Sequence, residues 1–160
     1  MAATSNLDLS DPKVIAGLRI FDAPRSLVFS AFTDPRHLSQ WWGPNGFTTT
    51  THSFDFRPGG VWHFVMHGPD GRDYQNRITF GEIVPNERLT WIHGGGEDEE
   101  HLKFHQTLTF DDVGGKTRLT WRGEFATAEE RARVIRDHGA AEGLVQTMSR
   151  LADYVSQLKA

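Results

Sequence analysis

The stretch from Ala140 to Leu158, AAEGLVQTMSRLADYVSQL, sets the strongest condition on what this chain folds into. Leu144, Met148, Leu151, Val155 and Leu158 recur at steps of four, three, four and three. That spacing lays side chains along one stripe of an α-helix. At 1.5 Å of rise per residue the helix is about 28 Å long, the width of a small domain. It cannot bury the stripe alone. The remainder supplies only two short helical patterns and many strand-like runs, so the partner expected for the stripe is the inner face of a curved antiparallel sheet.

Residues 1 to 13 are polar and aperiodic and read as a flexible lead-in. Val14 to Phe21 is a first strand. Asp22-Ala23-Pro24 announces a short helix whose buried face is Leu27, Val28, Ala31 and Phe32. Asp34-Pro35 announces a second, with Asp34 as N-cap, Pro35 as first helical residue and Leu38, Trp41 and Trp42 on its apolar side. From Phe47 the period becomes two, the alternation of a strand. Runs at 47–56, 61–67, 73–84, 88–93, 101–111 and 116–125 are separated by turn words such as Arg57-Pro58-Gly59-Gly60 and Pro69-Asp70-Gly71. Gly94-Gly95-Gly96 with Glu97 to Glu100 reads as an acidic loop, closer to a solvated connection than to a calcium loop. Thr127-Ala128-Glu129-Glu130 fits a capping box, and Gly139 divides the helical region that follows. The expected order is strand, two short helices, six strands and the long helix, in one domain over 14–160.

Seventeen basic against twenty-one acidic side chains give a net charge of −4, without a basic cluster. Neither nucleic acid nor an anionic membrane is an expected partner. The absence of cysteine excludes disulfides, thiolate catalysis and cysteine-held metals. No signal peptide or long apolar run is legible, so a cytoplasmic protein is expected, as monomer or homodimer.

Particular words along this order resemble the family related to the activator of the Hsp90 ATPase, within the START-like (SRPBCC) superfamily of helix-grip folds. They include Asp22-Ala23-Pro24-Arg25, Phe32-Thr33-Asp34-Pro35, Trp41-Trp42-Gly43-Pro44, Phe56-Arg57-Pro58-Gly59-Gly60, Met66-His67-Gly68-Pro69-Asp70-Gly71, Pro85-Asn86-Glu87-Arg88, Thr109-Phe110 and Gly115-Lys116-Thr117-Arg118-Leu119-Thr120, with Glu142-Gly143-Leu144 and Leu151-Ala152 in the last helix. The resemblance spans residues 14 to 158. It implies an α+β helix-grip fold, a sheet of six to seven strands wrapped around the C-terminal helix, and an apolar cavity between them. It implies three functions that the fold does not separate: a carrier of a small apolar or aromatic ligand, a partner of Hsp90-type chaperones, or an aromatase- or cyclase-like enzyme. The eukaryotic activator carries an additional N-terminal domain credited with much of the stimulation, whereas residues 1 to 13 alone precede the first strand here. Weak ATPase activation is therefore expected, and no P-loop is present for ATP hydrolysis by the chain itself.

Alternation assigns an inner face. With Trp62, Phe64 and Met66 inward, Tyr74, Asn76, Ile78 and Phe80 share their side, as do Trp91 and His93, Phe104, Gln106, Leu108 and Phe110, and Leu119 and Trp121. Large aromatics with isolated polar points are the lining of a small-molecule pocket. The candidate ligand-binding set is Trp62, Phe64, Met66, Tyr74, Asn76, Trp91, His93, Gln106 and Trp121, with Met148 from the helix. No nucleophile–base–acid motif or paired inward carboxylate is legible, so no catalytic residue is assigned; Tyr74, His93 and Gln106 are the groups an enzyme would use. His63 and His67 stand four apart, as do His101 and His105. On strands that spacing separates them by about 13 Å, so neither a metal nor another cofactor is expected. Trp41 reads as an anchor for its helix, and Trp42 as an anchor or an exposed gate or docking aromatic.

Overall fold

The computed structural model describes residues 6–95 and 104–159. The C-terminal stripe is helix α4 (Ala140–Lys159), with Met148, Leu151 and Val155 buried against the sheet. Burying side chains of this size contributes about 1.5–3 kcal/mol each. A separate helix, α3 (Ala128–His138), precedes it. Thr127 caps α3 by accepting from the Glu130 N–H at 3.1 Å, and Gly139 ends it in the left-handed region at φ 59°. Glycine enters that region without the steric cost a Cβ brings, so the chain turns there and restarts as α4.

The sheet holds eight antiparallel strands among the described residues. They are β1 (Asn6–Asp8), β2 (Val14–Phe21), β3 (Thr48–Phe54), β4 (Val61–His67), β5 (Asp73–Val84), β6 (Arg88–Gly95), β7 (Phe104–Val113) and β8 (Lys116–Phe125), in the order β1-β2-β8-β7-β6-β5-β4-β3. From β3 to β8 the chain is a meander. Between β2 and β3 it crosses from one end of the sheet to the other through α1 (Arg25–Ser30) and α2 (Pro35–Trp41). Asp34 caps α2, its carboxylate accepting from the Arg36 N–H at 2.8 Å, and Pro35 opens the helix.

The eighth strand departs from the sequence expectation. Asn6, Leu7 and Asp8 pair with Leu18, Gly17 and Ala16, so the polar lead-in contributes an edge strand. All three are exposed and carry no inward face, which is why periodicity gave no sign of them. They answer the free backbone edge that β2 presents once its other side is paired with β8. The expected acidic loop at Glu97 to Glu100, and the start of the strand expected from His101, lie outside the described residues.

Alternation places the inner face as read. Trp62 lies opposite Ile78, and Ile78 opposite His93. Trp91 lies opposite Gln106, Leu108 opposite Trp121, and Phe110 opposite Leu119. Helices α1 and α2 and the link between them fill one end of this concave face with Val28, Phe29, Phe32, Leu38 and Trp41, all buried. The Phe32 ring stands edge-on to Trp41, Phe110 and Trp121, with centroids 4.9, 5.6 and 5.8 Å apart. Such edge-to-face pairs add to the area they bury.

Candidate ligand-binding site

At the other end of the concave face the helix and the sheet do not meet fully. Toward α4 the first turns present Ala140, Gly143, Leu144 and Thr147, mostly small, and toward the sheet β8 presents Gly123. A cavity of about 310 Å³, partly open to solvent, lies between them. The sheet supplies Ile15, Met66, His93, Phe104, Gln106, Trp121 and Phe125, the segment after α2 supplies Trp42 to Pro44, and the α3–α4 elbow supplies His138 and Gly139. Gly17 on β2 explains why α4 sits so near the sheet beside this hollow. A Cβ there would stand 2.8 Å from Met148 Sδ and 3.0 Å from a Leu144 methyl, so any larger residue would have to displace these two side chains.

Four of the ten residues chosen from the sequence line this space: Met66, His93, Gln106 and Trp121. Trp62, Phe64, Trp91 and Met148 lie in the packed core and are absent from the lining. Trp62 and Phe64 stack on each other at 3.8 Å, and Trp42 covers Trp62 at 4.9 Å. Tyr74 keeps its expected side of the strand but is exposed at the rim, its hydroxyl 3.4 Å from Asp70 Oδ2. Asn76 stands behind the wall and holds His93. The Trp41-Trp42 pair is not a surface feature. Trp41 is fully buried and donates its indole N–H to Ala31 O at 3.1 Å, and Trp42 is buried as part of the cavity wall. The helix ends at that point, so Trp42 turns inward where a continued helix would turn it elsewhere.

The sequence reading missed Ile15, Pro44, Gly123, Phe125, Thr147 and the elbow residues His138 to Ala140. Continuing the alternation onto β2 gives Ile15, since Ile15 pairs with Gly123. The run of small residues opening α4 was also legible, although no period marks it.

The polar groups of the wall are largely committed. The Trp91 indole N–H donates to Gln106 Oε1 at 2.6 Å, which leaves the amide nitrogen of Gln106 as its remaining donor. Asn76 Nδ2 donates to Tyr74 O at 2.9 Å, so its Oδ1 faces His93 Nε2, also at 2.9 Å. An amide oxygen only accepts, hence His93 carries its hydrogen on Nε2. Burial pushes this imidazole down to about 4, against an opposing side-chain interaction with Gln106, so the ring is neutral at physiological pH with its lone pair on Nδ1. The Thr147 hydroxyl donates to Gly143 O at 2.8 Å. The buried Trp121 Nε1 has no hydrogen-bond acceptor among the described residues; its ring lies among those of Trp41, Trp42 and Trp91, centroids 6.3, 5.7 and 6.0 Å away.

One cation stands beside the cavity. Arg150 Nη1 lies 2.9 Å from Gly43 O, 3.0 Å from Pro44 O, 3.1 Å from Phe47 O and 3.5 Å from Trp42 O. Gln146 Oε1 accepts from the Asn45 N–H at 3.0 Å. Helix α4 thus grips the segment that forms one wall. On the outer face, His67 bridges Asp73 at 2.7 Å and Thr50 at 2.8 Å, and the His52 and His63 rings lie 5.4 Å apart. Among the described residues no three His, Asp or Glu side chains converge on a point that would hold a metal ion, and no helix is long and apolar enough to cross a membrane.

No curated protein matches the chain. Solved structures do. An NMR structure of a protein from Arthrobacter aurescens is 25% identical with a TM-score of 0.87, over 95% of this chain and 91% of that one. Protein Ms6760 from Mycobacterium smegmatis is 25% identical with a TM-score of 0.82, over 99% and 97%. The AHSA1 protein from Silicibacter pomeroyi, 22% identical with a TM-score of 0.72 over 90% and 98%, shares the fold. The sequence profile of the activator of Hsp90 ATPase homolog 1-like proteins matches residues 22–156, from the turn before α1 to the last turns of α4, and this chain therefore belongs to that family.

Proposed function

We propose that the protein binds a small, largely apolar or aromatic molecule in the cavity between the sheet and α4, and holds it without transforming it. The observation that carries this reading is the hollow itself: one end of the concave face is filled by buried side chains, while the other keeps about 310 Å³ walled by Trp42, Phe104, Trp121 and Phe125. A cavity with apolar walls and few polar points favours ligands that shed water readily. Its size lies at the low end of small-molecule sites, which suits a one- or two-ring compound.

Native mass spectrometry of protein purified without organic solvent tests this, followed by thermal shift with a panel of small aromatics. A retained mass, or a midpoint that rises with ligand concentration, is the expected result. Protein that carries nothing and whose midpoint no member of the panel moves would overturn the reading.

A further inference from the structure

The donors and acceptors left over in the cavity wall narrow the ligand class, an inference that rests on the binding reading above. None of the lining side chains is a carboxylate, an ammonium or a guanidinium. The nearby guanidinium of Arg150 faces four carbonyl oxygens through Nη1. An ion entering this space would give up hydration and meet no counter-charge, a cost that excludes it in favour of a neutral molecule of the same shape. Two wall donors are already used, His93 Nε2 on Asn76 and Thr147 on Gly143, and Gln106 Oε1 is taken by the core residue Trp91. What remains is the lone pairs of His93 Nδ1 and Thr147 Oγ1, the amide hydrogens of Gln106, the indole N–H of Trp121 and the imidazole of His138. Donors and acceptors are both present. A hydroxyl is a small uncharged group that both donates and accepts through one atom.

We infer that the cavity takes an uncharged aromatic alcohol of roughly ten to fifteen non-hydrogen atoms, its hydroxyl donating to His93 Nδ1 or Thr147 Oγ1 and accepting from Gln106 Nε2. A methyl ether of the same ring system keeps the oxygen but loses the donor, and a carboxylate of similar size carries the excluded charge.

Isothermal titration of the full chain at pH 7.5 with naphthol, its methyl ether and naphthoate, supported by tryptophan quenching from Trp42 and Trp121, reads this directly. Naphthol is expected to bind about tenfold tighter than the ether, the worth of one hydrogen bond, and naphthoate more weakly than both. In His93→Phe, with folding checked by circular dichroism, or in Thr147→Val, the ratio of naphthol to ether is expected to fall. Equal binding of naphthol and ether by the unaltered protein, or tighter binding of naphthoate, overturns the alcohol assignment while leaving a ligand cavity in place. If none of the three compounds binds, the alcohol assignment and the cavity reading fall together.

Discussion

The two ends of the concave face are built on the same strands and covered by the same helix, yet one is solid and the other hollow. At the solid end α1, α2 and the link between them insert Val28, Phe29, Phe32, Leu38 and Trp41 between the sheet and the later turns of α4, where Leu151 and Val155 complete the packing. At the hollow end no such layer intervenes, and α4 offers Ala140, Gly143 and Thr147 opposite Gly123. The difference lies in side-chain volume and not in secondary structure. Space for a guest is left where small residues face one another across a gap whose width is fixed elsewhere, by the solid end and by the contact over Gly17.

Three perturbations sharpen that contrast. The largest effect belongs to the solid end: Trp41→Ala removes a fully buried ring and its bond to Ala31 O, and is expected to cost about 3–5 kcal/mol in denaturant unfolding. A loss below about 1 kcal/mol would show that this end is less tightly packed than its geometry implies.

The second effect is a pH dependence at the boundary between the two ends. The His93 imidazole sits at about 4 in the folded protein against its ordinary 6.5, so between these values the unfolded chain binds the proton more strongly. The stability linked to His93 is therefore whole above pH 6.5 and declines as pH falls toward 4, by up to about 3 kcal/mol before screening by water in the cavity is counted. In His93→Gln this part of the pH profile should flatten; an unchanged slope would assign it to other groups.

The smallest effect on stability belongs to the hollow end. A Cβ at Gly143 would find its nearest neighbour, Pro44, at 3.8 Å, so Gly143→Ala fits and should stabilise α4 by about 0.5–1 kcal/mol through helix propensity. Gly143→Leu should leave the fold intact and remove ligand binding by occupying the cavity. Retained binding in that variant would place the ligand outside the hollow.

Much of this fold was legible because the signals are local. The capping aspartate before Pro35, the Thr127 cap, the Gly139 break and the alternation from Trp62 to Trp121 depend on residues only a few positions apart. The cavity was legible only in part, because its walls come together over long separations: α4 meets the segment after Trp42 through bonds spanning about a hundred residues, such as Asn45 to Gln146. Alternation gives the side of the sheet but not the position along it. Tyr74 and His93 share a face, yet one is at the exposed rim and the other at the wall. Trp42 was ambiguous for a related reason, since its direction depends on where α2 stops and not on any periodicity.

Arg150 ties these regions together mechanically. Because its Nη1 reaches carbonyls from Trp42 to Phe47, that segment cannot swing away from α4 without stranding a charge from four oxygens at once. Segment and helix behave as a single rigid jamb. For the guest proposed above, the entrance is then expected on the opposite side, at the elbow where α3, which buries no residue of its own, joins α4 through Gly139.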